Sequence, residues 1–218
     1  MLRGLLLVTG LVVLLVCVRL FMVRRNGSHP RPQGQISVAA MLGSGGHTME
    51  MLSLLQALPR NEYGPLVCMA SSGDKMSLEK ASTVLSDALA SQHPWQGMVL
   101  PRARNVGQTW TSTPWSVLRS MAYAVWYIGF APYLHGYTDR ACADILLMNG
   151  PATCVPLVVA VWCARICGCP APRMIYVESI ARVSTLSLTG RLLRHVVDVF
   201  VVQWPTADPT AVCHGVLV

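Results

Sequence analysis

The run Gly43-Ser44-Gly45-Gly46-His47-Thr48 joins an apolar stretch, ISVAAML (36–42), to a helical pattern, HTMEMLSLLQAL (47–58). Glycines at such a turn accept positive φ and let a ligand come close to the main chain. The helix that follows offers unpaired N–H groups and the positive end of its dipole, which together hold an anion. His47 stands beside that site, and imidazole is the side chain best suited to moving a proton near neutral pH. Its plain alternative is a first-turn residue that caps or packs. A dinucleotide site would need G-x-G-x-x-G and an acidic residue closing the second strand. Here position 48 is Thr, and the second strand runs into MASSGDK (69–75) with Asp74 too far along. A P-loop would need Gly-Lys-Ser/Thr, which does not follow.

Further candidates lie in other loops: Arg102 and Arg104 in PRARNVGQTW (101–110), Asn149 in NGPATC (149–154), and Glu178 at the end of YVES (176–179). The two arginines suit a diphosphate, acting with the amides of the glycine turn. Arginines on a basic surface are also ordinary. Glu178 closes an apolar strand, where an unpaired carboxylate is costly to bury. It is therefore either a functional group or a structural partner for a cation such as Arg182. Thr153 flanks a helix start, and simple capping explains it as well as ligand contact does.

These residues are placed by an alternation of short apolar runs and helical patterns. Strands are expected at 36–42, 65–70, 97–101, 144–150, 173–179 and 199–204, with helices at 47–58, 74–90 and 114–134 and a buried helix at 154–167. Continuous apolar strands alternating with helices predict a parallel sheet covered on both faces, the doubly wound α/β class. Ligands in that class bind beyond the carboxyl ends of the strands. The glycine turn, PRARNVGQTW, NGPATC and the ES after YV all fall there. The tail AVCHGVLV (211–218) is apolar enough for a seventh strand or for docking on a partner.

The chain has 218 residues, 53% hydrophobic and 12% charged, with a formal net charge of +7. Its mean hydropathy of +0.46 points to a membrane segment. Residues 4–23 supply about twenty mostly apolar positions, interrupted only by Arg19, enough for one spanning helix. A linker, 24–35, and a main domain, 36–218, follow. Arg3 precedes the segment, whereas Arg19, Arg24, Arg25 and Arg31 lie toward its other end, so the main domain is expected in the cytosol. A cleaved signal peptide would end in a small-residue site, and no A-x-A pattern precedes the linker. The eight cysteines do not form the framework of a small secreted domain, which favours a reducing compartment. Cys163, Cys167 and Cys169 lack a second pair at zinc-finger spacing. The positive charge favours an anionic partner such as a membrane surface or a phosphorylated substrate. Nucleic acid is disfavoured because no basic run is interleaved with stacking aromatics.

The ordered set GSGGHT (43–48), PRARNVGQTW (101–110), NGPATCVP (149–156), YVESIARVSTLSLTGRLL (176–193) and VQWP (202–205) resembles a known family. The glycine turn is similar to that of glycosyltransferases with two Rossmann domains, the GT-B class. The whole set, with its N-terminal apolar segment, resembles the membrane-anchoring subunits of the eukaryotic UDP-GlcNAc transferase that adds the second GlcNAc to GlcNAc-pyrophosphoryl-dolichol. One departure is Ala152, where the pattern usually has Gly. The resemblance implies a single Rossmann-like, acceptor-binding half of a GT-B enzyme, preceded by one transmembrane helix. It also implies a soluble catalytic subunit carrying the UDP-GlcNAc site, a dolichol-linked acceptor, and a place at the endoplasmic reticulum membrane. In such an inverting transfer His47 and Glu178 are the candidate bases. Gly43, Ser44, Gly45, Gly46, Thr48, Arg102, Arg104 and Asn149 are the candidate acceptor and phosphate contacts. No cofactor or metal is called for, since no D-x-D motif is present. The competing readings are a non-catalytic membrane scaffold and a membrane-bound nucleotide-dependent oxidoreductase.

Overall fold

A computed structural model describes residues 18–19, 34–59, 61–88, 95–103, 108–109, 111, 113–131, 142–150 and 152–217. Strands β1 (Ile36–Leu42), β2 (Tyr63–Ser71), β3 (Trp95–Leu100), β4 (Ile145–Asn149), β5 (Arg173–Val177), β6 (Val199–Val202) and β7 (Val212–Cys213) form one sheet. All its described pairings are parallel, and the strand order is β3-β2-β1-β4-β5-β6-β7. The helices are α1 (Gly46–Ala57), α2 (Lys75–Ala88), α3 (Thr113–Ala124), α4 (Cys154–Cys167) and α5 (Leu188–Leu193).

Strand order reverses direction between β1 and β4, and a crevice opens at such a point beyond the strand ends. Met41 pairs with Met148 and Asn149 pairs with Val177, so the turn after β1, the end of β4 and the end of β5 are neighbours. The far end of the β1–β4 pair is fixed by Asp144. Its carboxylate accepts from the Ser37 amide (2.7 Å) and hydroxyl (2.6 Å), while its own amide donates to Ser37 Oγ (2.9 Å).

Both faces of the central strands are buried, which explains why β1 and β4 read as largely apolar runs. Along β1, Val38, Ala40 and Leu42 point to one core with Met51, Leu52 and Leu55 of α1 and Ala81 and Leu85 of α2. Ala39 and Met41 point to the other, with Leu157, Val158 and Val161 of α4 and Leu193 of α5. Helix α4 is the buried helix expected at 154–167, with Pro156 in its first turn and Gly168 closing it at φ 80°.

The long helix expected at 114–134 is different in form. After α3 the chain widens into a π-helical segment, Val125–Phe130, and residues 132–134 lie outside the described ones. Gly129 allows this segment to approach α4, since a Cβ there would stand 3.3 Å from the Ala160 carbonyl oxygen. The tail provides the seventh strand, β7, paired with β6. Of the expected transmembrane segment only Val18 and Arg19 are described, and the linker residues 24–33 lie outside the described set. Arg19 Nε donates to the Ile166 carbonyl at the end of α4 (3.2 Å), so its headgroup has a protein partner. Among the described residues no helix is long and apolar enough to cross a membrane.

Candidate functional site at the ends of the first, fourth and fifth strands

The turn after β1 is built for an open helix start. Gly45 is the residue before α1 and takes φ 67° and ψ −122°, a conformation that favours glycine. No side chain caps α1, and its first turn holds no acidic residue. A Cβ placed on Gly45 or Gly46 would meet nothing within 4 Å, so the space above the turn is clear. Ser44, Gly45 and Gly46 are exposed, whereas Gly43 is buried. The first amides of α1 and the helix dipole therefore face free space, the arrangement that attracts a phosphate.

Thr48, expected among the phosphate contacts, has its side chain turned inward. It is fully buried, and its hydroxyl bonds the Gly43 carbonyl and Ser77 Oγ (2.7 Å). Ser77 Oγ also donates to the Gly43 carbonyl (3.1 Å) and to Asp74 (2.7 Å), so α2 braces the turn from below. Two hydroxyls on one carbonyl hold the turn shape, which leaves main chain as the exposed part of the turn.

His47 is half-buried at the switch point. Its Nδ1 lies 2.8 Å from Asn149 Oδ1. Gly150, at φ 72°, lies under the ring, and a Cβ there would come within 2.5 Å of Nδ1. Asn149 is 0% exposed, and its amide nitrogen donates to Glu50 Oε2 (2.8 Å). The amide expected to touch ligand is thus used on His47 and Glu50. Glu50 in turn accepts from Ser179 Oγ (2.7 Å). Sequence reading did not single out Glu50 or Gly150. Glu50 stands three residues after His47, a spacing that shares one helix face. That was the available signal, but its partners lie about a hundred positions away along the chain.

Glu178 is 1% exposed. Its carboxylate accepts from the Ser187 amide and hydroxyl (3.0 Å each) and from the Ser179 amide (3.2 Å). Ser187 caps α5 by accepting from the Gly190 amide (2.9 Å). A Cβ on Gly190 would overlap Glu178 Oε2, so the glycine leaves room for the carboxylate. Burial, and then the nearby Glu178 charge, push the Tyr176 phenol above its ordinary value, which keeps it a donor beside Ser187. Glu178 thus ties the loop after β5 to α5; of the two expected roles this enclosure favours the structural one, with serine donors in place of a cation. Glu178→Ala would remove the buried acceptor shared by the Ser179 amide and the two part-buried Ser187 donors. The expected loss is about 2–4 kcal/mol of stability, read by denaturant unfolding of the assembled protein. An unfolding midpoint equal to that of the native protein would contradict the clamp.

Arg102 is half-buried at the end of β3, and its amide donates to Ser72 Oγ (2.9 Å), which holds the loop start beside β2. Arg104 lies outside the described residues. Hence the structure brings residues 43–48, Asn149 and the 178–180 segment together, while Arg102 stands on a separate strand end. A groove of about 480 Å³ runs along α3 between Trp115, Leu118, Arg119 and Ala122, and His47 is not part of it.

A parallel sheet with this strand order, reversing between β1 and β4, defines a doubly wound, Rossmann-like unit. The crystal structure of Acinetobacter baumannii MurG shares it with a TM-score of 0.50 at 18% identity, over 80% of this chain and 43% of that one. The chain therefore spans less than half of MurG. It belongs to the family described as "Oligosaccharide biosynthesis protein Alg14 like", which matches residues 38–213. Among its relatives is the UDP-N-acetylglucosamine transferase subunit ALG14 of Cryptococcus neoformans, 40% identical over 94% of this chain and 93% of that protein. The human subunit of the same name is 37% identical over 90% and 88%.

Proposed function

We propose that this chain is the membrane-anchoring, acceptor-binding subunit of an inverting UDP-GlcNAc transferase. In this reading it adds the second GlcNAc to GlcNAc-pyrophosphoryl-dolichol on the cytosolic face of the endoplasmic reticulum, together with a soluble catalytic subunit. The observation that carries the reading is His47 held over Gly150 beside the uncapped start of α1. An imidazole beside an uncapped helix start supports this reading, because sugar transfer to a lipid pyrophosphate needs a proton acceptor near an anion-binding surface. The names of the relatives, transferase subunits for UDP-N-acetylglucosamine, support the same assignment.

The acceptor diphosphate sits on the amides of Gly45, Gly46 and His47 at the uncapped start of α1. The acceptor 4-hydroxyl oxygen attacks the anomeric carbon of UDP-GlcNAc, the bond from that carbon to UDP breaks, and UDP departs with the electron pair. The hydroxyl proton passes to His47. UDP-GlcNAc itself is held by the partner chain. Residues 4–23 anchor the chain, and the exposed stripe of Trp115 (76% exposed), Leu118, Trp126 and Tyr127 rests on the bilayer surface.

The test is GlcNAc transfer from UDP-GlcNAc to a short lipid-linked GlcNAc pyrophosphate in three samples: this chain, its soluble partner, and both co-expressed. Transfer confined to the co-expressed sample, with the activity pelleting with membranes, is the expected result. Full activity from the partner alone would reduce this chain to an anchor and overturn the acceptor-binding role.

A further inference from the structure

From the hydrogen-bond chain behind the site we infer that Glu50 is a positioning residue that fixes the tautomer of His47, with the proton on Nδ1 and the lone pair on Nε2. The inference deepens the reading of His47 as the base, but it rests on polarity along the chain rather than on activity.

The deduction starts at the carboxylate. Glu50 Oε1 accepts from Ser179 Oγ (2.7 Å), and Oε2 receives the Ile180 amide (3.4 Å). An ionised carboxylate only accepts, so the Asn149 group at 2.8 Å from Oε2 must be its NH₂. The other end of that side chain, Oδ1, then faces His47 Nδ1 at 2.8 Å. A carbonyl oxygen only accepts, so Nδ1 must carry the hydrogen. In the neutral ring the basic lone pair is therefore on Nε2.

Burial makes the chain rigid. Asn149 is 0% exposed, so its amide has no bulk water to turn to. Flipping it would set carbonyl against carboxylate at one end and its NH₂ against His47 at the other, leaving the buried Asn149 oxygen opposed to the Glu50 carboxylate. Gly150 lies under the ring and fixes where it sits. Glu50 also draws on three strand ends: it follows β1 on α1, reaches Asn149 of β4, and meets the Ser179–Ile180 turn after β5. Remove the carboxylate and the polarity of Asn149 loses its cause, although nothing that touches the open turn has changed.

The test uses the assembled complex in detergent, with this chain labelled with ¹⁵N-histidine. Two-bond ¹H–¹⁵N correlations identify the tautomer of each neutral imidazole, and His47→Gln identifies the His47 signals by their loss. The native protein is expected to show His47 solely as Nδ1–H. Glu50→Gln, whose carbonyl still accepts from Asn149 and Ile180, is expected to keep it. Glu50→Ala is expected to give a mixture that includes Nε2–H, with kcat about 10²-fold lower and the acceptor KM near native. Glu50→Gln should restore most of that kcat. A native Nε2–H form overturns the inference, and so does an unmixed Nδ1–H form in Glu50→Ala. If Glu50→Ala fails to assemble, Glu50→Met, which fills the same space without a carboxylate, is read in its place, with the same outcomes expected and excluded. If the tautomers behave as expected but His47→Ala retains full transfer, the base assignment fails while the positioning of His47 by Glu50 stands.

Discussion

Replacing His47 by alanine is expected to lower GlcNAc transfer by about 10²–10⁴-fold, the range for loss of a general base, while the complex still assembles. The two halves of this expectation have separate physical grounds. His47 is half-buried at the surface of the crevice, and its recorded side-chain bond is to Asn149 (2.8 Å). Losing it leaves the buried Asn149 Oδ1 without that partner, at a cost of about 1–3 kcal/mol, which a folded domain tolerates. Transfer is another matter, because the acceptor hydroxyl must shed its proton as it attacks. The start of α1 is left intact, since its amides are main-chain groups and Gly45 keeps its φ of 67°. Acceptor KM should therefore stay near native while kcat falls, the pattern of an interaction made only in the transition state. Single-turnover transfer by the purified complex is the measurement. Activity near the native rate in a complex of normal composition would remove His47 from the chemistry and leave it a helix-start residue.

The order of elements was legible because its causes are local. ISVAAML is apolar from Val38 to Leu42 since both faces of β1 are covered there, and the Gly-Ser-Gly-Gly run marks a turn whose Gly45 takes the positive φ it suggests. The candidates after β1, β4 and β5 converge for the same reason, since a parallel sheet collects its loops at one edge. What each side chain does there was not legible. Asn149 and Thr48 are polar residues at loop edges, and only three-dimensional pairing decides whether such a group faces ligand or neighbour. Both face neighbours: Asn149 meets Glu50 from 99 positions away, and Thr48 meets Ser77 from 29. Glu178 was weighed against a pairing with a cation such as Arg182. The observed donors are the neutral groups of Ser179 and Ser187, a serine pattern that charge reading does not register. The π-helical widening after α3 also lacks a local signal, because it follows from how closely Gly129 lets that segment approach α4.

The placement of His47 makes Gly150→Ala the second large effect, and its size should depend on His47 itself. Two costs are combined in this substitution. At φ 72° an L-residue pays about 1–2 kcal/mol for the left-handed conformation, a penalty independent of its neighbours. The new Cβ would also stand 2.5 Å from His47 Nδ1 and 2.8 Å from Nε2, closer than packed atoms allow, so the imidazole must leave its position. A displacement of about 1 Å is enough to cost roughly 10²-fold in rate when the displaced group is the base. In the His47→Ala background there is no ring to displace, and only the backbone penalty remains. Gly150→Ala is therefore expected to lower transfer about 10²-fold in the native background and little in the His47→Ala background. That corresponds to a coupling of about 2–3 kcal/mol in the double-mutant cycle. The unfolding midpoint should fall in both backgrounds through the shared left-handed strain, and further in the native one, where the displaced ring also loses its bond to Asn149. Equal activity losses in the two backgrounds would mean that Gly150 serves only the turn after β4, and that the ring reaches its working position without it.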